Sequence, residues 1–336
     1  QLYNQQQYDA AIEHFDISLQ NPIIPKFKAM SYYWKGEAYF AKGEFQKSGW
    51  QYSNFNGIAN VSEIENQEWY TINGNYGLGY AFLKQERYRD ATLYFEKAIA
   101  DARKSKNNEI QKRIMPDAIL RNGDSFYLLK DYTKALGNYD EIYSTGANGK
   151  DYAMFQKGMI QGLLGNSDGK VNTLLELQKQ YPNSLHADDA LFEAANTSFE
   201  QKKNSSAITY YQKLQKDYPN TQYKVESYLK LGLIYFNEKN YTKSVASYEK
   251  VLELAPNTSK AKEAFAGIQE VAIATGDKSI VLNTMKTQAT LELSDVKAIA
   301  AAAEAEALKN NWAVTIAIVD DGGHLLWLQR LDGAAA

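Results

Sequence analysis

The residue types that most often carry catalysis or bind metals are sparse in this sequence. Its three histidines, His14, His186 and His324, lie far apart, and it contains no cysteine. The lack of cysteine removes disulfides, thiolate nucleophiles and cysteine metal sites. No histidine is followed by a second histidine at metal-ligand spacing, and residues 1–284 contain no nucleophile constellation. The sequence therefore predicts a protein that is not an enzyme and that has no metal site.

Two glycine-containing stretches resemble phosphate-binding loops but lack essential parts. In GNSDGK, from Gly165 to Lys170, one residue too few separates the glycines, and Val171 stands where serine or threonine would hold magnesium. In GNYGLGYAF the glycine spacing is wrong for a dinucleotide fingerprint, and no strand precedes it. We interpret the first stretch as a turn between helices and Gly79 in the second as a packing residue.

Aromatic rings, which bind ligands by contact, recur at fixed spacing with small residues. The pattern begins with a small residue, here called a first-helix glycine, and these are Gly36, Gly79, Gly123 and Gly232. Aromatic residues follow 3 and 9 positions later, and a small residue 12 positions later, with Ser48, Ala91, Ala135 and Ser244 at that last position. An aromatic residue, here called the fourth ring, closes the pattern 16 positions after the glycine, and these rings are Tyr52, Phe95, Tyr139 and Tyr248.

This spacing is that of two antiparallel helices that approach closely at the small residues and enclose rings between them. The recurring residues resemble the tetratricopeptide repeat. The resemblance implies a mainly α fold, a right-handed α-α superhelix of helix hairpins over residues 1–284, in which each hairpin is stabilised by its neighbours. It also implies a non-catalytic scaffold that binds a protein or peptide.

Both ends of the repeat region look cut. Tyr8, Ala11, Ile12 and Phe15 match the second helix of a hairpin whose first helix is almost wholly missing, and KSIVLNTM resembles only the start of a last helix. The turns YPNS and YPNT resemble those of bacterial envelope tetratricopeptide proteins. That resemblance implies a periplasmic or outer-membrane location, although QLYNQQQYDAA lacks the blocks of a signal peptide.

In the tetratricopeptide family, the first helices of the hairpins line a concave groove. Counting from the small residues places ten rings on this face: Tyr33, Phe40, Tyr76, Tyr80, Tyr127, Tyr152, Phe155, Phe192, Phe199 and Phe236. Such rings either clamp a peptide or pack first helix against first helix. Five charged residues share the face and either select a partner or are merely solvated: Glu37, Lys84, Asp117, Asp124 and Glu226.

Residues 285–336 differ in style from the repeats. An alanine-rich helix comes first. The stretches AVTIAIVD and HLLWLQRLD follow it and are predicted to be two strands joined by an Asp-Gly-Gly turn, as in a β-hairpin. The run VDDGGHLLWLQRLDG resembles the GlcG/HbpS-like family, also found at the C-terminus of PduO proteins, of which only the start is present. The resemblance implies a small truncated α/β piece, with His324 as the available ligand if the piece binds heme. An incomplete domain exposes strand edges, so self-association through this piece is also expected.

Charge and hydropathy exclude other partners. The 37 basic and 40 acidic side chains nearly balance, so we expect no nucleic-acid partner. No run of apolar residues is long enough to span a membrane. The sequence therefore favours a protein-binding repeat scaffold that needs no cofactor, with heme or small-molecule binding by residues 285–336 as the alternative.

Overall fold

The computed structural model describes residues 2–20, 24–58, 64–145, 148–287, 293–319 and 325–331. The chain divides into two compact units, residues 1–203 (unit 1) and 204–336 (unit 2). Each unit is built almost wholly from helices joined by short turns.

Unit 1 contains ten α-helices and one π-helical turn among its described residues. In chain order they are α1 Tyr8–Gln20, α2 Pro25–Ala41, α3 Phe45–Ile58, α4 Gln67–Lys84, α5 Tyr88–Ala102, the π-helical turn Ile110–Ile114, α6 Met115–Leu128, α7 Tyr132–Thr145, α8 Lys150–Leu163, α9 Ser167–Gln180 and α10 Ala187–Glu200. Helices α2/α3, α4/α5, α6/α7 and α8/α9 form hairpins, and each hairpin packs on the next.

Unit 2 continues the helical pattern and ends in a strand pair. Its elements are α11 Asn204–Asp217, α12 Lys224–Asn237, α13 Tyr241–Leu254, α14 Ser259–Thr275, α15 Ser279–Thr287, α16 Leu293–Lys309, β1 Thr315–Val319 and β2 Leu325–Arg330. Helices α12 and α13 form a hairpin that packs on α14, and α15 packs on α14.

The turn that closes each hairpin has one backbone geometry. Seven residues after the small residue of the first helix, the chain adopts a positive φ, at Gly43, Glu86, Lys130, Gly165, Lys202 and Lys239. At the first of these turns, the amide of Glu44 donates to the carbonyl of Tyr39 at 2.9 Å, the 6→1 bond of a Schellman motif. The motif ends the first helix and reverses the chain within three residues.

The first-helix glycines and the fourth rings interlock. A Cβ added at Gly36, Gly79, Gly123 or Gly232 would meet the fourth ring of its own hairpin at 3.0, 2.7, 2.9 and 2.4 Å, respectively. Two of these rings also touch a glycine of the following first helix, because a Cβ at Gly77 would lie 2.6 Å from Tyr52 and one at Gly267 would lie 2.5 Å from Tyr248. The fit between ring and glycine is therefore tightest around Tyr248, which lies between Gly232 and Gly267.

The C-terminal piece is a helix and an antiparallel strand pair. Strand β1 pairs with β2 in a register that places Ile318 opposite Trp327, with an irregularity between Ile318 and Val319. Ile316 and Ile318 pack with Val296 and Ala300 of α16, which forms a small separate core. One face of the strand pair is thereby covered by the helix.

The predicted fold class is confirmed, since the chain is mainly helical, is built of the expected hairpins and ends in a helix and a β-hairpin. The GNSDGK stretch is the predicted turn between helices, and it continues into the first turn of α9. The domain boundary at residues 284 and 285 stays a prediction. Helix α15 runs to Thr287, and the compact units divide after Lys203.

Candidate protein-binding surface

Two of the ten rings predicted for the groove are buried in the core of unit 1. Tyr33 is 2% exposed and packs edge-on against Tyr52, Phe55 and Tyr70 at centroid distances of 5.9, 5.4 and 4.9 Å. Phe192 on α10 is 8% exposed. These two rings pack between helices and have almost no surface to offer a ligand in this conformation.

The other eight rings are half-buried, so each keeps part of its surface in solvent. Seven belong to unit 1: Phe40, Tyr76, Tyr80, Tyr127, Tyr152, Phe155 and Phe199. Within unit 1 the first helices α2, α4 and α6 contact one another in succession, and Phe40 of α2 lies 6.0 Å from Tyr80 of α4 between ring centroids. Phe236, in unit 2, packs against Tyr241 at 5.9 Å. Their role as partner contacts stays a prediction.

Helix α6 places two carboxylates and a guanidinium on one face. Arg121 lies four residues after Asp117 and three residues before Asp124, and both spacings bring side chains together on a helix. The Arg121 guanidinium donates to Asp124 at 2.5 Å and reaches Asp117 at 3.4 Å. All three side chains are partly exposed, Asp124 least, at 15%.

Four tyrosine hydroxyls from three neighbouring helices converge on these carboxylates. Tyr76 and Tyr80 of α4 donate to the same oxygen of Asp117, at 2.7 and 2.5 Å. Tyr139 of α7 and Tyr152 of α8 donate to one oxygen of Asp124, at 2.7 and 2.8 Å. Together, the residues that we call the tyrosine–carboxylate cluster are Tyr76, Tyr80, Asp117, Arg121, Asp124, Tyr139 and Tyr152.

The cluster holds its tyrosines protonated. Burial, the charge of Asp117 and the hydrogen bond to it raise the pKa of Tyr80 to about 12. Burial and the Asp124 carboxylate likewise raise the pKa of Tyr139 and of Tyr152. Each hydroxyl therefore remains a donor to its carboxylate at physiological pH, and the carboxylates keep their hydrogen bonds.

A second carboxylate in unit 1 repeats this arrangement at the first hairpin. Glu37 accepts hydrogen bonds from Tyr52 at 2.6 Å and from Tyr3 at 3.4 Å. Glu37 and Asp124 each directly follow a first-helix glycine, and Tyr52 and Tyr139 are the fourth rings of their hairpins. Burial and the charge of Glu37 raise the pKa of Tyr3 to about 12.

An aromatic stack continues the surface towards α10. The His186 ring lies 5.4 Å from Phe155 at an interplanar angle of 20° and 5.5 Å from Tyr152. Its Nδ1 atom is 4.0 Å from a carboxylate oxygen of Asp189. Two rings predicted for the groove, Tyr152 and Phe155, are thus in contact with a titratable side chain.

The sequence placed Glu37, Asp117 and Asp124 on the same helix face as the rings but left open whether they were merely solvated. The structure shows that all three accept hydrogen bonds from tyrosines. Arg121 was missed, although its spacing from Asp117 and Asp124 was the available signal. The contacts of Tyr76 with Asp117 and of Tyr152 with Asp124 join different hairpins, so they depend on how the hairpins stack. Tyr139 reaches Asp124 within its own hairpin.

The described residues of the C-terminal piece offer no side chain of the kinds that bind heme iron. Within residues 293–319 and within residues 325–331 there is no histidine, cysteine, methionine or tyrosine to serve as an axial ligand. His324, the residue predicted for that role, lies outside the described residues, as does the predicted Asp-Gly-Gly turn. The role predicted for His324 therefore stays a prediction. In the described part of the chain no three His, Asp or Glu side chains are grouped to hold a metal ion, and no helix is long and apolar enough to cross a membrane.

Different family models match the helical repeats and the C-terminal segment. Tetratricopeptide repeat models match residues 1–52 and 76–151, residues 152–184 and 189–221, and residues 225–258. A model described as haem degrading protein HbpS-like matches residues 291–336.

The C-terminal match has curated relatives. Protein GlcG of Escherichia coli, in strains K12 and O6:H1, is 55% identical over 51 residues, which is 15% of this chain. The chain spans 38% of the length of these relatives. What GlcG does as a whole protein is therefore a matter of proposal for this chain.

Solved structures resemble the helical part. The C-terminal part of a TPR repeat-containing protein from Cytophaga hutchinsonii is similar with a TM-score of 0.63 and 15% identity, over 78% of this chain and 96% of that one. The apo form of RapI is similar with a TM-score of 0.57 and 15% identity, over 80% of this chain and 82% of that one. At such identity the likeness shows the fold alone.

Hairpin geometry, family models and solved structures agree that this is a helical repeat protein of the tetratricopeptide type. It carries tetratricopeptide repeats followed by a C-terminal segment similar to the HbpS-like family.

Proposed function

We propose that this chain is a non-catalytic scaffold whose unit 1 binds a protein or peptide through the aromatic face of its first helices. Tetratricopeptide repeats suggest protein binding in general, and the groove is our more specific claim. The observation that carries it is the set of half-buried rings on α2, α4, α6 and α8, several of them fixed by hydrogen bonds. Rings held in this way offer contact area at little entropic cost.

The half-exposed state of the rings is what distinguishes a binding face from a core. Tyr76 and Tyr80 are oriented by Asp117 yet keep surface in solvent, whereas Tyr33 is enclosed. A location in the bacterial envelope stays a prediction that is supported by the YPNS and YPNT turns alone.

The test is peptide selection from a random display library with the wild type and with the Tyr76→Ala/Tyr80→Ala variant. We expect the variant to retain about tenfold less peptide at a temperature where it is still folded, a larger loss than its lower melting temperature accounts for. Trp50→Ala is the matched control, because Trp50 is 60% exposed on the second helix α3. If peptide retention and melting temperature fall in proportion, these tyrosines are core residues and the proposal is contradicted.

A further inference from the structure

An apolar row lies beside the tyrosine–carboxylate cluster on unit 1. On α6 it begins one helical turn after Asp124, at Tyr127 and Leu128, and Leu128 is 45% exposed. Leu163, at the end of α8, is 56% exposed. The residues of this apolar row are Phe40, Leu83, Tyr127, Leu128 and Leu163. Phe40 lies 6.0 Å from Tyr80 between ring centroids, so apolar side chains border the cluster on α2 and follow it along α6.

The cluster is rich in acceptors and poor in free donors. Each of its four tyrosine hydroxyls donates its single proton to Asp117 or Asp124. The Nε atom of Arg121 donates to the Tyr80 hydroxyl at 3.1 Å, and both terminal nitrogens reach carboxylates. One guanidinium thus faces two carboxylates, so the cluster favours an added cation over an added anion.

Helix α10, the last helix of unit 1, is also negatively charged. Helix α10 carries Asp188, Asp189, Glu193 and Glu200 and no basic side chain. Glu193 forms an ion pair with Lys170 at 2.6 Å.

We propose that this face binds a peptide segment of a partner protein in which lysine or arginine stands beside leucine-like or phenylalanine-like residues. This inference rests on the proposed function and specifies its ligand. The basic side chain contacts the carboxylates of Asp117 and Asp124, and its apolar neighbours cover Leu128 and Leu163. An acidic segment would bring its charge against two carboxylates whose only cation is already engaged.

The probes are synthetic peptide pools with leucine fixed at one position, lysine, arginine or glutamate fixed at the next, and the rest randomised. Fluorescence polarisation with the full chain measures their affinity. We expect the lysine and arginine pools to bind about tenfold more tightly than the glutamate pool. Asp117→Asn and Asp124→Asn should remove this preference, and Leu163→Ser should weaken all three pools alike.

Matched controls are available on the second helices. Asp168→Asn on α9 makes the same charge change at a side chain that is 70% exposed, and Leu93→Ser on α5 removes a leucine that is 47% exposed. Neither control should alter any pool. Should the aspartate variants fail to fold, salt replaces them: binding of the lysine pool to the wild type must weaken as sodium chloride rises.

The outcomes separate this inference from the proposed function. Equal affinity for lysine and glutamate pools, or a lysine preference that is insensitive to salt or survives Asp117→Asn, overturns the inference alone. If no pool binds the wild type better than the Tyr76→Ala/Tyr80→Ala variant, the groove itself is wrong. A wild type that sediments as a dimer and becomes monomeric with Leu163→Ser shows that a second copy occupies the face, which also overturns the inference.

Discussion

In both units a fourth ring packs against the helix backbone at a first-helix glycine, and we call this gap at the glycine the notch. The two units differ in the hydrogen bonds of that ring's hydroxyl. In unit 1, the hydroxyls of Tyr52 and Tyr139 donate to Glu37 and Asp124, the residues that follow the glycines. In unit 2, Tyr248 fills the notch at Gly232, yet the next residue is Leu233, and the hydroxyl of Tyr248 makes no hydrogen bond to the residues that the structure describes. Close packing therefore defines the repeat, and the polar edge of the ring is available for other uses.

The largest expected effect concerns the notch itself. Gly232→Ala should lower the free energy of unfolding by about 2–3 kcal/mol, because the added Cβ would meet Tyr248 at 2.4 Å. The Tyr248 ring cannot move away from the added Cβ, because Gly267 lies against the opposite edge of the ring. Gly36→Ala, whose Cβ would lie 3.0 Å from Tyr52, should change stability far less, because helix propensity offsets the crowding.

Urea unfolding midpoints measure this difference. Gly137→Ala is the control, since nothing lies within 4 Å of the added Cβ, and it should stabilise α7 by about 0.5–1 kcal/mol. Equal destabilisation by Gly232→Ala and Gly36→Ala would show that the notch is looser than the interlocked rings indicate.

The second prediction compares the hydroxyls. Tyr139→Phe should destabilise the chain by about 1.5 kcal/mol, because it removes a hydrogen bond to a carboxylate that is 15% exposed. Tyr248→Phe should change stability by less than about 0.5 kcal/mol, since its hydroxyl has no such acceptor. Thermal unfolding followed by circular dichroism compares the two variants. A cost for Tyr248→Phe as large as that for Tyr139→Phe would remove the distinction between the units.

The sequence predicts the notch better than the cluster, for a physical reason. Gly232 and Tyr248 belong to a repeated pattern of residue sizes, and size decides which helices can approach closely. The acceptor of the Tyr139 hydroxyl, Asp124, lies on the other helix of its hairpin, and that of Tyr76 lies on the next hairpin. The acceptor of Tyr76 depends on how hairpins stack, so the sequence could place Asp117 on a helix face but could not identify the tyrosines that donate to it.

The backbone geometry of the hairpin turns is a second feature that the sequence predicts poorly. Positive φ recurs at equivalent positions occupied by Gly43, Glu86 and Lys130, which share no side-chain chemistry. Because the geometry is imposed by the Schellman bonds and by the packing of both helices, residue type there is a weak signal. Only Gly43 and Gly165 could have been read as turn glycines from the sequence.

These turns give a third, smaller prediction. Lys130→Gly should raise the free energy of unfolding by about 0.5–1 kcal/mol, because glycine adopts a φ of 61° without the clash of a Cβ. Gly43→Ala, at a φ of 76°, should lower it by about 1 kcal/mol. Urea midpoints check both variants. A loss of stability in Lys130→Gly would mean that the lysine side chain, and not its backbone, matters at this turn.

The smallest effect is expected when hemin is added, which sharpens the contrast between the repeats and the C-terminal segment. We expect no stoichiometric Soret shift, and no difference between the wild type and His324→Ala. The described residues of the segment supply no axial ligand, and Ile316 and Ile318 pack on Val296 and Ala300 of α16. A one-to-one shift in the Soret band that His324→Ala abolishes would instead assign a binding site to this segment. The scaffold surface on unit 1 would then be one of two functional regions in the chain.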